Sequence, residues 1–341
     1  MKALVKKEVG KSWDGLELMD IPKPVPKKNE LLIKIMATGI CGTDLHIMED
    51  EYPHSVPVVL GHEFTGIVEE CGEETAGFKP GDHVIVNNIT GCGHCHYCKK
   101  GDYVFCAEKK SIGINLNGGM AEYTVAPFDH AILVPPAMQG KDTPALSEPI
   151  ACCVRAVLEQ TKILPGDRVL ITGPGFMGLM CAQLAKICGA YVIMSGTPAD
   201  KERLELGLKQ GVDRVADNFD DLKKIVEEVT DGGVDVVLEC SGSPYAIPGA
   251  LELIRKQGAW TQVGMFGKDV TIALDTLNRK ELCFNGTFAT ANSTWEKLQR
   301  LYADDVLQLD DFVSARIPLE NWREGFEMFL RKEGIKLFLV P

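Results

Sequence analysis

Residues 168–172, Arg-Val-Leu-Ile-Thr, run without a break into Gly173-Pro174-Gly175-Phe176-Met177-Gly178, and an apolar helical pattern opens at Leu179. Few architectures need a strand that empties into G-x-G-x-x-G at the mouth of a helix. The glycines suit a tight βα turn at the carboxyl edge of a parallel sheet. Gly173 allows the turn, Gly175 lets the backbone approach a pyrophosphate, and Gly178 lets helix and strand pack closely. The helix N-terminus then offers unpaired N–H groups and a positive dipole end to phosphate. Strand-like runs at 191–195, 214–216, 234–239, 259–263 and 282–288 alternate with helical ones at 179–188, 201–210, 222–229 and 245–255. Such alternation predicts a parallel sheet covered on both faces, a Rossmann-type dinucleotide-binding domain. Thr172, Ser241, Val263 and Gly264 fall at strand carboxyl ends, and Phe176 and Met177 lie inside the turn, so all six are candidate cofactor contacts.

The end of the second strand governs the contact with the cofactor's ribose. Here it closes on Ser195, followed by Gly196 and Thr197, with no carboxylate before Asp200 and with Lys201 and Arg203 just beyond. Hydroxyl donors beside cations fit a 2′-phosphate slightly better than a bare ribose, which favours NADP slightly over NAD.

The first 145 residues or so have another texture. Short β-branched runs at 31–36, 66–70, 82–86 and 121–125 stand among glycines and prolines, the pattern of a mainly β domain. A chain of 341 residues has room for both domains. Its net charge of −12 disfavours a nucleic-acid partner. The chain has no apolar run of the roughly 18 residues a membrane span needs, and Met1-Lys2-Ala3-Leu4-Val5-Lys6-Lys7 lacks the pattern of a signal peptide. A cytoplasmic protein without membrane partners is expected, and its twelve cysteines read as thiols and metal ligands.

Four of them cluster as Cys92-x2-Cys95-x2-Cys98-x7-Cys106. Four soft thiolates at loop spacing close a tetrahedron around Zn²⁺ and leave no open position, which defines a structural site. His94 and His96 are bystanders to it. A second set is dispersed: Cys41, Thr43, Asp44 and His46, then His62 and Glu63, then Glu148. Thiolate, imidazole and carboxylate suit a catalytic zinc with one open position. Spacing alone does not bring these segments together, and each residue taken singly has an ordinary packing role.

The chain closely resembles the zinc-containing medium-chain dehydrogenase/reductase superfamily over essentially its whole length. The matching features are Ile40-Cys41-Gly-Thr-Asp-Leu-His46, Leu60-Gly61-His62-Glu63-Phe-Thr-Gly66, Phe78-Lys-Pro-Gly81-Asp82-His-Val84, the cysteine lobe, Gly119-Met-Ala-Glu122-Tyr123, Glu148-Pro149 and the glycine turn. Within it the chain looks nearest the sorbitol (polyol) and threonine dehydrogenase branch. The resemblance implies an α/β protein in which a GroES-like β-barrel catalytic domain, 1–147 completed by 289–341, holds an inserted Rossmann domain, 148–288. It implies two zinc ions per subunit. Cys41 and His62 would be ligands of the catalytic one, Glu63 an exchangeable ligand and Glu148 a ligand or a neighbour of ligands. Asp44 would orient an imidazole, and Thr43 would pass the substrate proton towards His46. It also implies a zinc-dependent, NAD(P)-linked dehydrogenase acting on a small polar secondary alcohol or ketone such as a polyol, diol, sugar alcohol or amino alcohol. A homodimer or homotetramer joined at the 282–288 strand is expected. A reductase of conjugated alkenes or imines with mainly structural zinc is the alternative.

Some features depart from that pattern. Threonine enzymes carry a histidine shortly before the cysteine lobe, where this chain has Asn87-Asn88-Ile89-Thr90. That change speaks against threonine as substrate, and the asparagines suit hydrogen bonding to a polar one. Many polyol dehydrogenases have degraded the cysteine lobe, which is whole here, and most of the branch end the second strand with an acidic residue in place of Ser195.

Overall fold

The computed structural model describes residues 1–10 and 13–341, which divide into two compact units. The first comprises Met1–Pro149, Ala291–Asp305 and Leu309–Pro341, and the second Ile150–Thr290 with Val306–Gln308.

In the second unit six strands form one parallel sheet, in the spatial order Arg214–Ala216, Tyr191–Ser195, Arg168–Thr172, Val234–Glu239, Ile254–Gln262 and Cys283–Gly286. From Arg168–Thr172 the chain steps outward twice and then returns to the other side of its starting strand. The order therefore reverses beside the glycine turn, the place where open α/β sheets bind ligands. Val169, Leu170, Ile171, Val192, Ile193 and Met194 are all fully buried. Such uninterrupted apolar runs are what a sheet covered on both faces requires.

Among the elements that differ from the sequence pattern are a strand and a helix of this unit. The fifth strand begins at Ile254, not 259, because the helix Ala246–Leu253 stops early and the chain enters the sheet through a register shift. Lys256 and Gln257 are exposed in this irregular entry, so they read as a helix end. The helix Leu274–Lys280 was not anticipated; it buries no residue fully, and its Leu277 rests only part-buried on the core, so its apolar signal is weak.

The first unit is built around the strand Glu30–Gly39. It pairs antiparallel with Glu63–Cys71, with Tyr123–Pro127 and with the C-terminal strand Lys336–Val340. His83–Val86 and Ala131–Leu133 extend the sheet on one side and Val313–Pro318 on the other. The strands Lys2–Lys6, Leu16–Asp20 and Val58–Val59 form a smaller sheet. One core joins Leu4, Ile40, Ile47, Leu60, Phe326 and Leu339, so the N-terminal and C-terminal segments share a single interior. Gly39 pairs with Glu63 on one neighbour and Phe338 on the other. Residues almost 300 apart in sequence thus meet at one end of this sheet. Among the described residues no helix is long and apolar enough to cross a membrane.

Candidate metal centres and dinucleotide site

The cysteine lobe folds on itself through two short turns, Cys98–Lys100 and Tyr103–Phe105, with Gly93 and Gly101 in the left-handed region. The sulfurs of Cys92, Cys95, Cys98 and Cys106 all lie within 4.8 Å of one another, and those of Cys92 and Cys98 are 3.9 Å apart. A tetrahedral zinc with Zn–S bonds of about 2.3 Å holds its sulfurs roughly 3.8 Å apart, so the cradle has the right size. Backbone N–H groups of Cys92, Cys95 and Cys98 donate to the sulfurs of Cys106, Cys92 and Cys95 at 3.5, 3.4 and 3.4 Å, an environment that favours thiolate. Burial pushes the Cys98 thiol up to about 12, and the three neighbouring sulfurs push the same way. A divalent cation among them would remove that penalty. His94 and Glu108 approach Cys92 from the exposed side, and His96 packs edge-on against Tyr97.

The dispersed residues also converge. Donor atoms of Cys41, His62 and Glu63 lie within 4.8 Å of one another. Cys41 immediately precedes the helix Gly42–Met48, and its N–H donates to Asp44 Oδ2 at 2.9 Å. Asp44 is fully buried, and its Oδ1 lies 3.5 Å from His62 Nδ1, an ion-pair approach longer than a hydrogen bond. Burial alone would push the His62 imidazole down, but the charges of Asp44 and Cys41 outweigh it and hold it well above the usual range. The bend before His62 depends on Gly61, at φ +92°, whose carbonyl is packed so closely that a Cβ at Gly113 or Gly118 would sit 2.4 or 2.2 Å from it. Thr43 Oγ1 lies 3.7 Å from Cys41 Sγ. His46 is exposed and pairs through Nδ1 with Glu51 Oε2 at 2.9 Å.

Glu148 stands in the first turn of the helix Ser147–Val154 and does not join the group of three. Its charge bears on both Tyr52 and Lys336, which puts it in the same locality. Lys336 is the residue that sequence reasoning missed. Its buried ammonium approaches Glu63 Oε1 at 2.7 Å and Oε2 at 2.5 Å. Burial would lower its pKa, and the charges of Glu63, Cys41 and Glu148 reverse the shift and raise it. The available signal was one lysine opening the apolar run Leu337-Phe-Leu-Val340, but nothing in that run indicates a partner. Gly39 makes room for the pair, because a Cβ there would fall 2.2 Å from Glu63 Oε2.

In the second unit the glycine turn has the shape its motif demands. Gly173 adopts φ +85°, and a Cβ on it would meet Ser241 Cα at 2.6 Å. A Cβ on Gly178 would lie 1.9 Å from the Gly173 carbonyl, so helix and strand touch there, while the position of a Cβ on Gly175 is open space. The helix Phe176–Ile187 starts at Gly175 with no side chain capping it. Gly175 brings no side chain to the first turn, and an anionic group in the open space over it fits both features. Met177 leans on Cys153, whose sulfur is 3.7 Å from Met177 Sδ. At the end of the second strand, Asp200 Oδ2 accepts from Thr197 N–H at 3.0 Å and Oγ1 at 2.7 Å, and its Oδ1 lies 3.8 Å from Arg203. Ser195 and Gly196 precede this turn, and Lys201 is exposed beyond it. Ser241, Val263 and Gly264 cluster around Glu239, whose carbonyl accepts from the N–H groups of Val263 and Gly264 at 2.9 and 2.8 Å.

Residues 27–136 match the model of the alcohol dehydrogenase GroES-like domain, and residues 177–304 that of the zinc-binding dehydrogenases. D-arabitol-phosphate dehydrogenase of Enterococcus avium is 38% identical, covering 99% of this chain and 97% of its own length. Sorbitol dehydrogenase of Halalkalibacterium halodurans is 36% identical, covering 100% and 99%, as is L-threonine 3-dehydrogenase of Pyrococcus horikoshii. The chain belongs to the zinc-binding medium-chain dehydrogenases. A zinc-binding dehydrogenase of Sinorhizobium meliloti, solved with NADP bound, superimposes with a TM-score of 0.88 at 30% identity, covering 100% of this chain and 99% of that one. Membership of this family makes the chain a zinc-dependent, NAD(P)-linked dehydrogenase of the polyol and threonine branch. Zinc fits both donor sets described above.

Proposed function

We propose that this dehydrogenase oxidises a secondary carbinol of a small polyol, diol or amino alcohol and reduces the matching ketone. The observation that carries the reading is the contrast in donor number. Cys92, Cys95, Cys98 and Cys106 make a closed set of four, whereas Cys41, His62 and Glu63 make a set of three. Three donors leave a tetrahedral ion one position for substrate. When bound, zinc supplies a Lewis acid that acidifies a hydroxyl, and the nicotinamide supplies the hydride acceptor. Asp44 holds His62 by its Nδ1 side and so leaves Nε2 for the ion. Thr43, two residues from Cys41, relays the hydroxyl proton by accepting it as it gives up its own, and exposed His46 passes the relayed proton to solvent with Glu51 steadying the imidazole. Glu148 either completes the ligand set or orients the substrate from beside it.

Asn88 supports a polar substrate. Its Oδ1 is buried and accepts no protein hydrogen bond. Asn88 follows the strand His83–Val86, which pairs with the strand Glu63–Cys71 that opens on the proposed ligand Glu63. A substrate hydroxyl next to the carbinol is a donor suited to that oxygen. For the cofactor we propose NADP ahead of NAD. Asp200 is already engaged by Thr197 and Arg203, so it is not a free acceptor for a ribose hydroxyl, and Ser195 and Lys201 suit a phosphate. The subunits pair as a homodimer or homotetramer through the edge strand Cys283–Gly286, whose Phe284 is exposed.

The rival, a reductase of conjugated alkenes or imines, gives no reason for three metal donors to meet in the first unit. The test is turnover of free and phosphorylated polyols, vicinal diols, amino alcohols and simple secondary alcohols, with NADP and NAD in parallel. Polyols or diols should exceed simple alcohols in kcat/KM. Reduction of activated alkenes without alcohol oxidation would sink the reading.

A further inference from the structure

Glu239 closes the strand Val234–Glu239, its side chain is fully buried, and no step above uses it. Five donors converge on its carboxylate. Thr172 Oγ1, Ser241 N–H and the Ser241 hydroxyl reach Oε1, the first two at 3.1 and 3.0 Å. Gly242 N–H and Gln262 Nε2 reach Oε2 at 3.2 and 2.5 Å. An ionised carboxylate offers about four lone-pair directions, so this one is saturated. The donors come from three adjacent strands: Thr172 ends the central one, Ser241 and Gly242 follow Glu239 itself, and Gln262 ends the next. Gln262 also donates to the Gly264 carbonyl at 2.7 Å, and a Cβ on Gly264 would sit 3.0 Å from Glu239 Oε2. One buried anion therefore sets the mutual position of the 240–243 turn and the 262–264 turn.

The place of these turns in the sheet gives them a specific meaning. Strand order reverses between Arg168–Thr172 and Val234–Glu239. A dinucleotide straddling that point lays its adenosine half over the strands on the Tyr191–Ser195 side and its other half over the Val234–Glu239 side. We infer that Glu239 is a positioning residue for the nicotinamide half of the cofactor alone, acting through Thr172, Ser241 and the 262–264 turn. The inference rests on the dinucleotide reading of the glycine turn.

The test separates the two halves. NADP, NAD and the fragments that lack nicotinamide, 2′-phospho-ADP-ribose and ADP-ribose, are titrated calorimetrically against the full-length protein and its Glu239→Gln variant. The new amide turns one acceptor into a donor facing donors, so two or more of the five hydrogen bonds are lost. Dinucleotide affinity should fall about tenfold to a hundredfold, while the fragment affinity stays within roughly twofold. Gln262→Met removes one donor, leaves the anion in place and should shift the same ratio by less; it stands in if E239Q does not fold. Equal losses for dinucleotide and fragment, or an unchanged ratio in the folded variant, overturn the inference. A wild-type protein that binds neither fragment nor dinucleotide overturns the dinucleotide reading itself.

Discussion

The two metal centres of the first unit use related donors, and the chain delivers them in opposite ways. Cys92, Cys95, Cys98 and Cys106 come from one loop of fifteen residues, lie on a partly exposed lobe, and receive their N–H···S hydrogen bonds from within that loop. Cys41 and the His62–Glu63 pair come from a helix start and a strand start, and Lys336 reaches them from the far end of the chain. The local centre is self-sufficient in geometry and has no opening. Among the described residues the assembled centre gathers three donors closely, one of them tied to a buried lysine. A closed local site can stabilise folding but has no place for a substrate, whereas an open one needs the whole barrel to hold it.

The sharpest way to break this contrast is to remove one thiolate from each centre. Cys41→Ser should lower kcat by about a thousandfold or more, take zinc per subunit from two to one by atomic absorption, and leave the melting temperature nearly unchanged. Cys98→Ser should also cost one zinc but show itself as a lower melting temperature and poor recovery of folded protein. Equal thermal effects for the two variants would erase the proposed division between reactive and structural zinc.

Lys336→Met comes next. It leaves Glu63 buried without its partner, and breaking a buried pair from one side costs about 3–5 kcal/mol. Chemical denaturation should show that loss, with Lys336→Arg recovering most of it. If instead K336M is as stable as wild type and only zinc affinity rises, the lysine competes with the metal for Glu63 and does not support it.

The smallest effect is expected at the exposed end of the proposed proton path. His46→Gln should reduce kcat by roughly tenfold to a hundredfold, with zinc content, stability and dinucleotide affinity unchanged, and exogenous imidazole should restore part of the rate. Unaltered kcat in H46Q would remove His46 from the path and leave the metal centre as it stands.

Local chemistry determined much of this protein before any tertiary contact was known. The glycine turn, the cysteine quartet and five of the six parallel strands could be read with little error, because each is specified by neighbours in sequence: a left-handed glycine, a fixed ligand spacing, an apolar run bounded by polar residues. Boundaries failed where a segment is irregular or has no fully buried residue, as at Ile254 and in the helix Leu274–Lys280. Family resemblance grouped Cys41, His62 and Glu63, whereas spacing alone did not. Only the folded barrel decided that Lys336 pairs with Glu63 and that Cys41, His62 and Glu63 draw close together. The same holds in the sheet, where Glu239 collects donors from three strand ends. Burial and charge pairing are properties of residues brought together by strand order and register, and periodicity along the chain carries no record of which strand will lie next to which.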